Sequence, residues 1–209
     1  MQRLFLCLVA VAIGTAAVLY GTRPVLGTNP PSESMVKVLV GTGHGSGVHI
    51  GNGLARGAAL VVDDVKSVRL KLTNSQIVSG EVLWASKGRD VALIRADYPH
   101  RMAATNLECR PLMVGEDISI YGNPLSVDAM RTFGRVGGQP RSMGEWKRVV
   151  PVDASAAPGN SGGPVFDADG DLVGLLVGAA LMPIGFGASL VGISYFVPAE
   201  TICELLARD

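Results

Sequence analysis

Apolar and polar residues alternate in short runs along most of this chain. Residues 67–72 read S-V-R-L-K-L, apolar at every second position, which is the period of a strand with one buried face. Ten further short runs rich in apolar and β-branched residues have the same character: 35–40, 47–50, 76–85, 90–96, 117–121, 130–136, 147–152, 163–166, 172–177 and 190–197. Turn residues separate them at a spacing of roughly ten residues, the pattern of a β sandwich or barrel. Only the end reads as a helix: from Pro198 the chain runs P-A-E-T-I-C-E-L-L-A-R, with proline in the first turn and an apolar face. Residues 179–189 (A-A-L-M-P-I-G-F-G-A-S) are apolar but broken by Pro183, Gly185 and Gly187, and read as a loop before the last strand.

One apolar stretch departs from this pattern. Residues 4–20 carry no charge over 17 positions and lie between Arg3 and Arg23. A basic start and the small residues Thr15-Ala16-Ala17 fit a secretory signal peptide. The length also meets the lower limit for a membrane anchor, about 17 residues. Both readings stand, and both make it an N-terminal apolar helix that carries the rest out of the cytoplasm. The expected organisation is therefore a signal peptide or anchor over 1–23, a proline-containing linker over 24–34, and a folded part over 35–209.

Composition narrows the classes. Lys+Arg and Asp+Glu are 18 each, so the net charge is zero and there is no basic footprint for nucleic acid. Glycine is 27 of 209 residues and charged residues only 17 %, which excludes a coiled coil and a disordered chain. Of the three cysteines, Cys7 lies in the apolar stretch; Cys109 and Cys203 are open equally to one disulfide and to two free thiols. No Cys/His spacing suits a metal. Asp167-Ala168-Asp169-Gly170-Asp171 has the start of a calcium loop without its later glutamate, and reads as a hairpin turn. Neither a metal nor an organic cofactor is expected.

The strongest chemical signal is Pro158-Gly159-Asn160-Ser161-Gly162-Gly163-Pro164. A serine becomes a useful nucleophile when its hydroxyl projects from a tight turn and backbone N–H groups face the oxygen that turns negative. Glycines permit both. A glycine-rich hairpin turn also accounts for the stretch taken alone, so its surroundings decide. With Val152-Asp153-Ala154 before it, the run resembles the nucleophile loop of trypsin-like serine endopeptidases, above all the HtrA (DegP-like) branch, whose pattern is T-D-A-x-x-x-P-G-N-S-G-G-P. Other stretches match in order: Gly45-Ser46-Gly47-Val48, Arg89-Asp90-Val91-Ala92-Leu93-Ile94, Tyr121-Gly122-Asn123-Pro124, Gly134-Arg135-Val136, Asp169-Gly170-Asp171-Leu172-Val173-Gly174 and Gly192-Ile193-Ser194-Tyr195-Phe196-Val197-Pro198. The resemblance spans about residues 36–205.

The resemblance implies two six-stranded antiparallel β-barrels with an active site between them. It implies Ser161 as nucleophile, Asp90 as the acid that orients the base, and the N–H groups of Gly159 and Ser161 as the oxyanion hole. It assigns Ser155, six residues before the nucleophile, and Ser194 to the substrate pocket; with no charge there, small or apolar substrate side chains are expected. The chain departs from the family at the base. Where relatives read G-x-I-L-T-A-A-H-V-V, this chain reads Gly53-Leu54-Ala55-Arg56-Gly57-Ala58-Ala59-Leu60-Val61-Val62, with Leu60 in the histidine slot.

Leucine neither accepts nor donates a proton, so peptide hydrolysis is expected to be impaired. The alternative is an inactive pseudoprotease that binds peptides or serves as a membrane-tethered scaffold. Of the three histidines, His44 is the candidate substitute base, His49 belongs to a strand at the core edge, and His100 to a solvated loop. The expected partners are a peptide or unfolded-protein substrate, and a membrane through residues 4–20 if they are uncleaved. The apolar run 179–189 is a further candidate for touching a membrane. The sequence offers no peptide-binding module after the protease-like part, so regulation of that kind is not expected.

Overall fold

The computed structural model of the protein describes residues 32–97, 103–185 and 187–207, with the side chain of Leu60 left out. The expectations for the apolar segment 4–20, for His100 and for the leucine side chain in the histidine slot lie outside these described parts.

The chain is mostly β, as the periodicity predicts. Strands β1 (Met35–Val40), β2 (Gly43–Gly51), β3 (Leu54–Gly57), β4 (Ser67–Leu72), β5 (Ile77–Ser86) and β6 (Val91–Ala96) form a closed barrel in the order β1-β2-β3-β6-β5-β4. All pairings are antiparallel. In β4, the valine and two leucines of S-V-R-L-K-L are buried and the serine and arginine exposed. Val36, Val38, Leu70 and Ile94 fill the barrel. β3 has no strand signature of its own: it is four residues long and contains Arg56, which is wholly buried. Its ladder to β6 fixes it there, from Leu54–Arg95 to Gly57–Ala92. A single helical turn, α1 (Ala59–Val62), follows.

The second lobe holds β7 (Asp117–Gly122), β8 (Met130–Arg135), β9 (Arg141–Met143), β10 (Trp146–Val152), β11 (Pro164–Phe166), β12 (Leu172–Ile184) and β13 (Gly187–Pro198), and the chain then enters α2 (Ala199–Leu206). The sheet order is β8-β7-β11-β12-β13-β10-β9. This is a seven-stranded sheet, not the six-stranded closed barrel expected. The β9–β10 hairpin adds a strand at one edge, and β8 returns toward β10 through a single bridge, Val136 to Val152. Residues 179–189 are likewise not a loop. β12 and β13 run on as a hairpin, pairing Leu181 with Leu190 and Ile184 with Gly187. Of the three breakers in this stretch, Gly185 falls at the turn, while Pro183 and Gly187 sit inside the paired arms, opposite Ala188 and Ile184.

A third cluster cements the lobes. Met35, Val48 and Val91 from the barrel meet Tyr121, Phe166, Leu172 and Ile202 from the sheet and α2. The crossing segment lies beside the start of β12, where Leu107 bridges Leu172. Cys109 of that segment is bonded to Cys203 of α2, with the Cα atoms 6.2 Å apart, which settles the open question of the two cysteines. Arg89 of the barrel and Arg148 of β10 both reach Glu204 of α2, and Arg148 also reaches Glu200.

Candidate functional site

The loop around Ser161 joins β10 to β11 and is pinned from three sides. Its own turns are closed by Asn160 N–H to Ala157 C=O (3.0 Å) and Gly163 N–H to Asn160 C=O (2.8 Å). Toward β12, Gly162 N–H donates to Leu176 C=O at 2.7 Å. Toward β2, Ser46 N–H donates to Ser161 C=O at 2.8 Å, and the Ser46 hydroxyl donates to Gly159 C=O at 2.8 Å. That hydroxyl also accepts from the backbone N–H (2.9 Å) and side-chain amide (3.1 Å) of Asn123. Leu125 N–H holds Pro158 C=O at 2.8 Å. Gly159 has φ +99°, a conformation that favours glycine, and a Cβ there would press on the His44 ring at 2.6 Å.

The carbonyls of Pro158, Gly159 and Ser161 are thus all occupied. Among the described residues, the N–H groups of Gly159 and Ser161 make no hydrogen bond. Two donors held by a fixed loop and left unsatisfied are what a developing oxyanion requires. The Ser161 hydroxyl donates to Val177 C=O at 3.2 Å.

Asp90 ends the short turn Lys87–Arg89 in left-handed geometry (φ 49°, ψ 47°) and is fully buried at the head of β6. Arg56, on the paired strand β3, is equally buried. Two ionisable side chains of opposite sign are therefore buried in the same part of the barrel wall. Residues 58–61 pass between that wall and the serine loop. A Cβ on Gly162 would lie 2.5 Å from Ala58 N, and one on Gly45 would meet Val61 and, at 2.9 Å, the Ser161 carbonyl. The residues flanking position 60, Ala58 and Val61, thus lie against Gly162 of the serine loop and Gly45 of β2.

His44 sits against Gly159, and its Nε2–H donates to Asn123 C=O at 2.8 Å. Among the described residues it makes no hydrogen bond to Ser161. His49 is buried, and its Nδ1 pairs with Ala103 C=O at 3.1 Å. Ser155 is exposed, its carbonyl taken by the Thr132 hydroxyl. Ser194 is buried, and its hydroxyl donates to Ala154 C=O at 2.7 Å. Neither lines the apolar pocket of about 320 Å³ that opens beside Ser161 and is walled by Ala156, Ala157, Leu176, Ala179, Leu181 and Leu190.

Across the cleft rim, Asp128 of the second lobe takes Lys37 (2.6 Å) and Lys71 (2.8 Å) of the barrel. The hydrogen bonds from Lys37 and then Lys71 hold its carboxyl down to about 2. Ser46, Asn123, Arg56 and the Val177 carbonyl have no warning in the sequence beyond the G-S-G-V and G-N-P motifs. Their roles depend on which strands meet, and spacing does not carry that. No group of three or more His, Cys, Asp or Glu side chains suited to a metal ion occurs among the described residues.

Comparison with known proteins places the fold among described families. The family model described as "Trypsin-like peptidase domain" matches residues 45–175. The chain is 28 % identical over 156 residues to "Protease Do-like 1, chloroplastic" of Arabidopsis thaliana, covering 68 % of this chain and 33 % of that protein. It is 28 % identical over 163 residues to "Serine protease HtrA-like" of Staphylococcus aureus, covering 71 % and 20 %. It thus spans a third or less of the length of these relatives. Among solved structures, the Rv3671c protease in its inactive form superposes with a TM-score of 0.74 at 22 % identity, covering 88 % of this chain and 92 % of that one. The HtrA-type protease AlgW with a tripeptide gives 0.74 at 21 %, covering 85 % and 60 %. These superpositions concern the fold.

Proposed function

The chain belongs to the trypsin-like peptidase domain family, and on that premise we propose that its cleft binds peptides and cleaves them slowly through Ser161 and Asp90, the base being replaced by Leu60. The carrying observation is the pinned loop, with the Ser161 hydroxyl beside two unsatisfied N–H donors and an apolar pocket. A substrate carbonyl lodged there receives the hydroxyl oxygen on carbon and places its own oxygen toward Gly159 N–H and Ser161 N–H. The proton must leave the hydroxyl as the new bond forms, and must later reach the departing amine. A leucine at residue 60 does neither, and the Val177 carbonyl is too weak a base.

The apolar walls favour small or apolar side chains on the acyl side of the bond. In subtilisin, loss of the triad histidine costs about 10⁶ in turnover, while about 10³–10⁴ over water survives from binding and the oxyanion hole. A comparable loss is expected here. A second reading, peptide capture without cleavage, is favoured by the bond from the Ser161 hydroxyl to Val177 C=O. In either case residues 4–20 deliver the domain outside the cytoplasm, as an uncleaved anchor in the reading we adopt.

A serine-directed fluorophosphonate probe tests this on the full chain. The protein with Leu60 should label at least about 10³-fold more slowly than Leu60→His, consistent with the loss of the base. Ser161→Ala should not label in either background, and His44→Ala should change nothing. Equal labelling of the Leu60 protein and Leu60→His would refute the impaired-base reading. Labelling of neither would favour a scaffold.

A further inference from the structure

The outer half of the β12–β13 hairpin is more apolar and more exposed than its part in walling the pocket requires. From Leu172 to Ala199 the sequence has no Asp, Glu, Lys or Arg. Yet Leu181, Met182, Ile184, Leu190, Val191 and Ile193 are 38 to 63 % exposed. Isolated exposed leucines are ordinary; a contiguous charge-free set is not.

The register shows how these residues are disposed. Direct partners in an antiparallel ladder share a face, and faces alternate along each strand. Leu181 and Leu190 are partners and share one face with Pro183 and Ala188; Met182 and Ile184 stand on the other, opposite Ser189 and Gly187. Both faces of the ribbon are therefore apolar. A protein partner or a second copy would cover one face and leave the other wet. A medium that surrounds the ribbon covers both.

We propose that the free end of this hairpin docks into the interfacial layer of a lipid bilayer. The ribbon is not a spanning element, because its outer backbone edges need water or headgroups to bond with; shallow burial of about 5–10 Å meets both demands. One such contact is weak, and stable attachment takes a second. The proposal rests on the reading of residues 4–20 as an uncleaved anchor. The 11 residues 21–31 that separate that anchor from the described chain extend at most about 40 Å. That leash holds the domain within reach of the surface and makes the second contact effectively intramolecular. Leu181 and Leu190 also wall the pocket beside Ser161. Docking thus turns the pocket toward the bilayer and selects peptide segments that emerge from it.

The full chain, carrying Cys7→Ala and a single new cysteine labelled with an environment-sensitive nitrobenzoxadiazole dye, is reconstituted into phosphatidylcholine–phosphatidylglycerol vesicles. The label is placed by Ile184→Cys or, as control, by Asn74→Cys in an exposed turn of the barrel. The expected result is flotation with the vesicles, an emission gain of at least twofold at position 184 only, and its quenching by lipids brominated near the headgroup. Flotation with no difference between the two positions overturns the docking and leaves the anchor standing. Failure to float overturns the anchor reading and the proposal with it. An emission gain that depends on protein concentration, with no quenching by brominated lipid, identifies a second copy as the occupant and also overturns it.

Discussion

Ser46 is wholly buried and its single hydroxyl serves three bonds, one given to Gly159 C=O and two received from Asn123. Through them a residue of the barrel decides which way a peptide unit of the other lobe faces. Turning Gly159 C=O toward the hydroxyl fixes the backbone on which the Gly159 N–H is carried. Ser46→Ala leaves buried amide groups of Asn123 without this acceptor, a cost of about 1–3 kcal/mol. In the Leu60→His background we expect it to slow fluorophosphonate labelling by about 10–100-fold, less than the 10²–10³ lost when an oxyanion donor itself is removed. If the rate is unchanged while thermal stability falls, Ser46 only braces the lobes. Ser161, Gly159 and Asp90 were readable as candidates because a motif marks them. Ser46 and Arg56 acquire meaning only when β2 meets the serine loop and β3 meets β6.

At the scale of elements, β11 is the clearest case of a short segment with a large task. Its three residues are all buried, and it is hydrogen-bonded between β7 and β12. Phe166 packs edge-on to Tyr121 at 5.7 Å and belongs to the cluster that joins the lobes. Phe166→Ala should cost about 3–5 kcal/mol in denaturant unfolding, whereas Phe133→Ala, 67 % exposed under the Arg131 guanidinium, should cost less than about 1.

Strands with a clear signal, the alternation of β4 and the continuous apolar run of β6, were legible in the residues. The short β3 was hidden because a buried arginine replaces the apolar signal, and the outer arms of β12 and β13 because Pro183 and Gly187, ordinarily read as breakers, are paired inside the strands themselves. The number of strands in the second lobe was not legible either. β9 has three exposed residues and owes its pairing to β10.

At the scale of the molecule, two devices hold the lobes apart from the shared core. One is ionic: Lys37 and Lys71 of the barrel clasp Asp128 in the β7–β8 connection of the second lobe. Because the carboxyl is held down to about 2, below the ordinary value near 4 of an unfolded chain, its contribution is complete above that ordinary value. It fades as pH falls toward 2. The melting-temperature difference between the protein and Asp128→Asn should follow that course, and added salt should shrink it wherever the carboxylate is ionised, because the pair is part-exposed. The other device is covalent, the bond between Cys109 of the crossing segment and Cys203 of α2, which closes a loop at a sequence separation of 94. A protease that nicks the backbone once anywhere inside that loop leaves a molecule of undiminished mass on a non-reducing gel, and only a thiol reductant releases the two pieces.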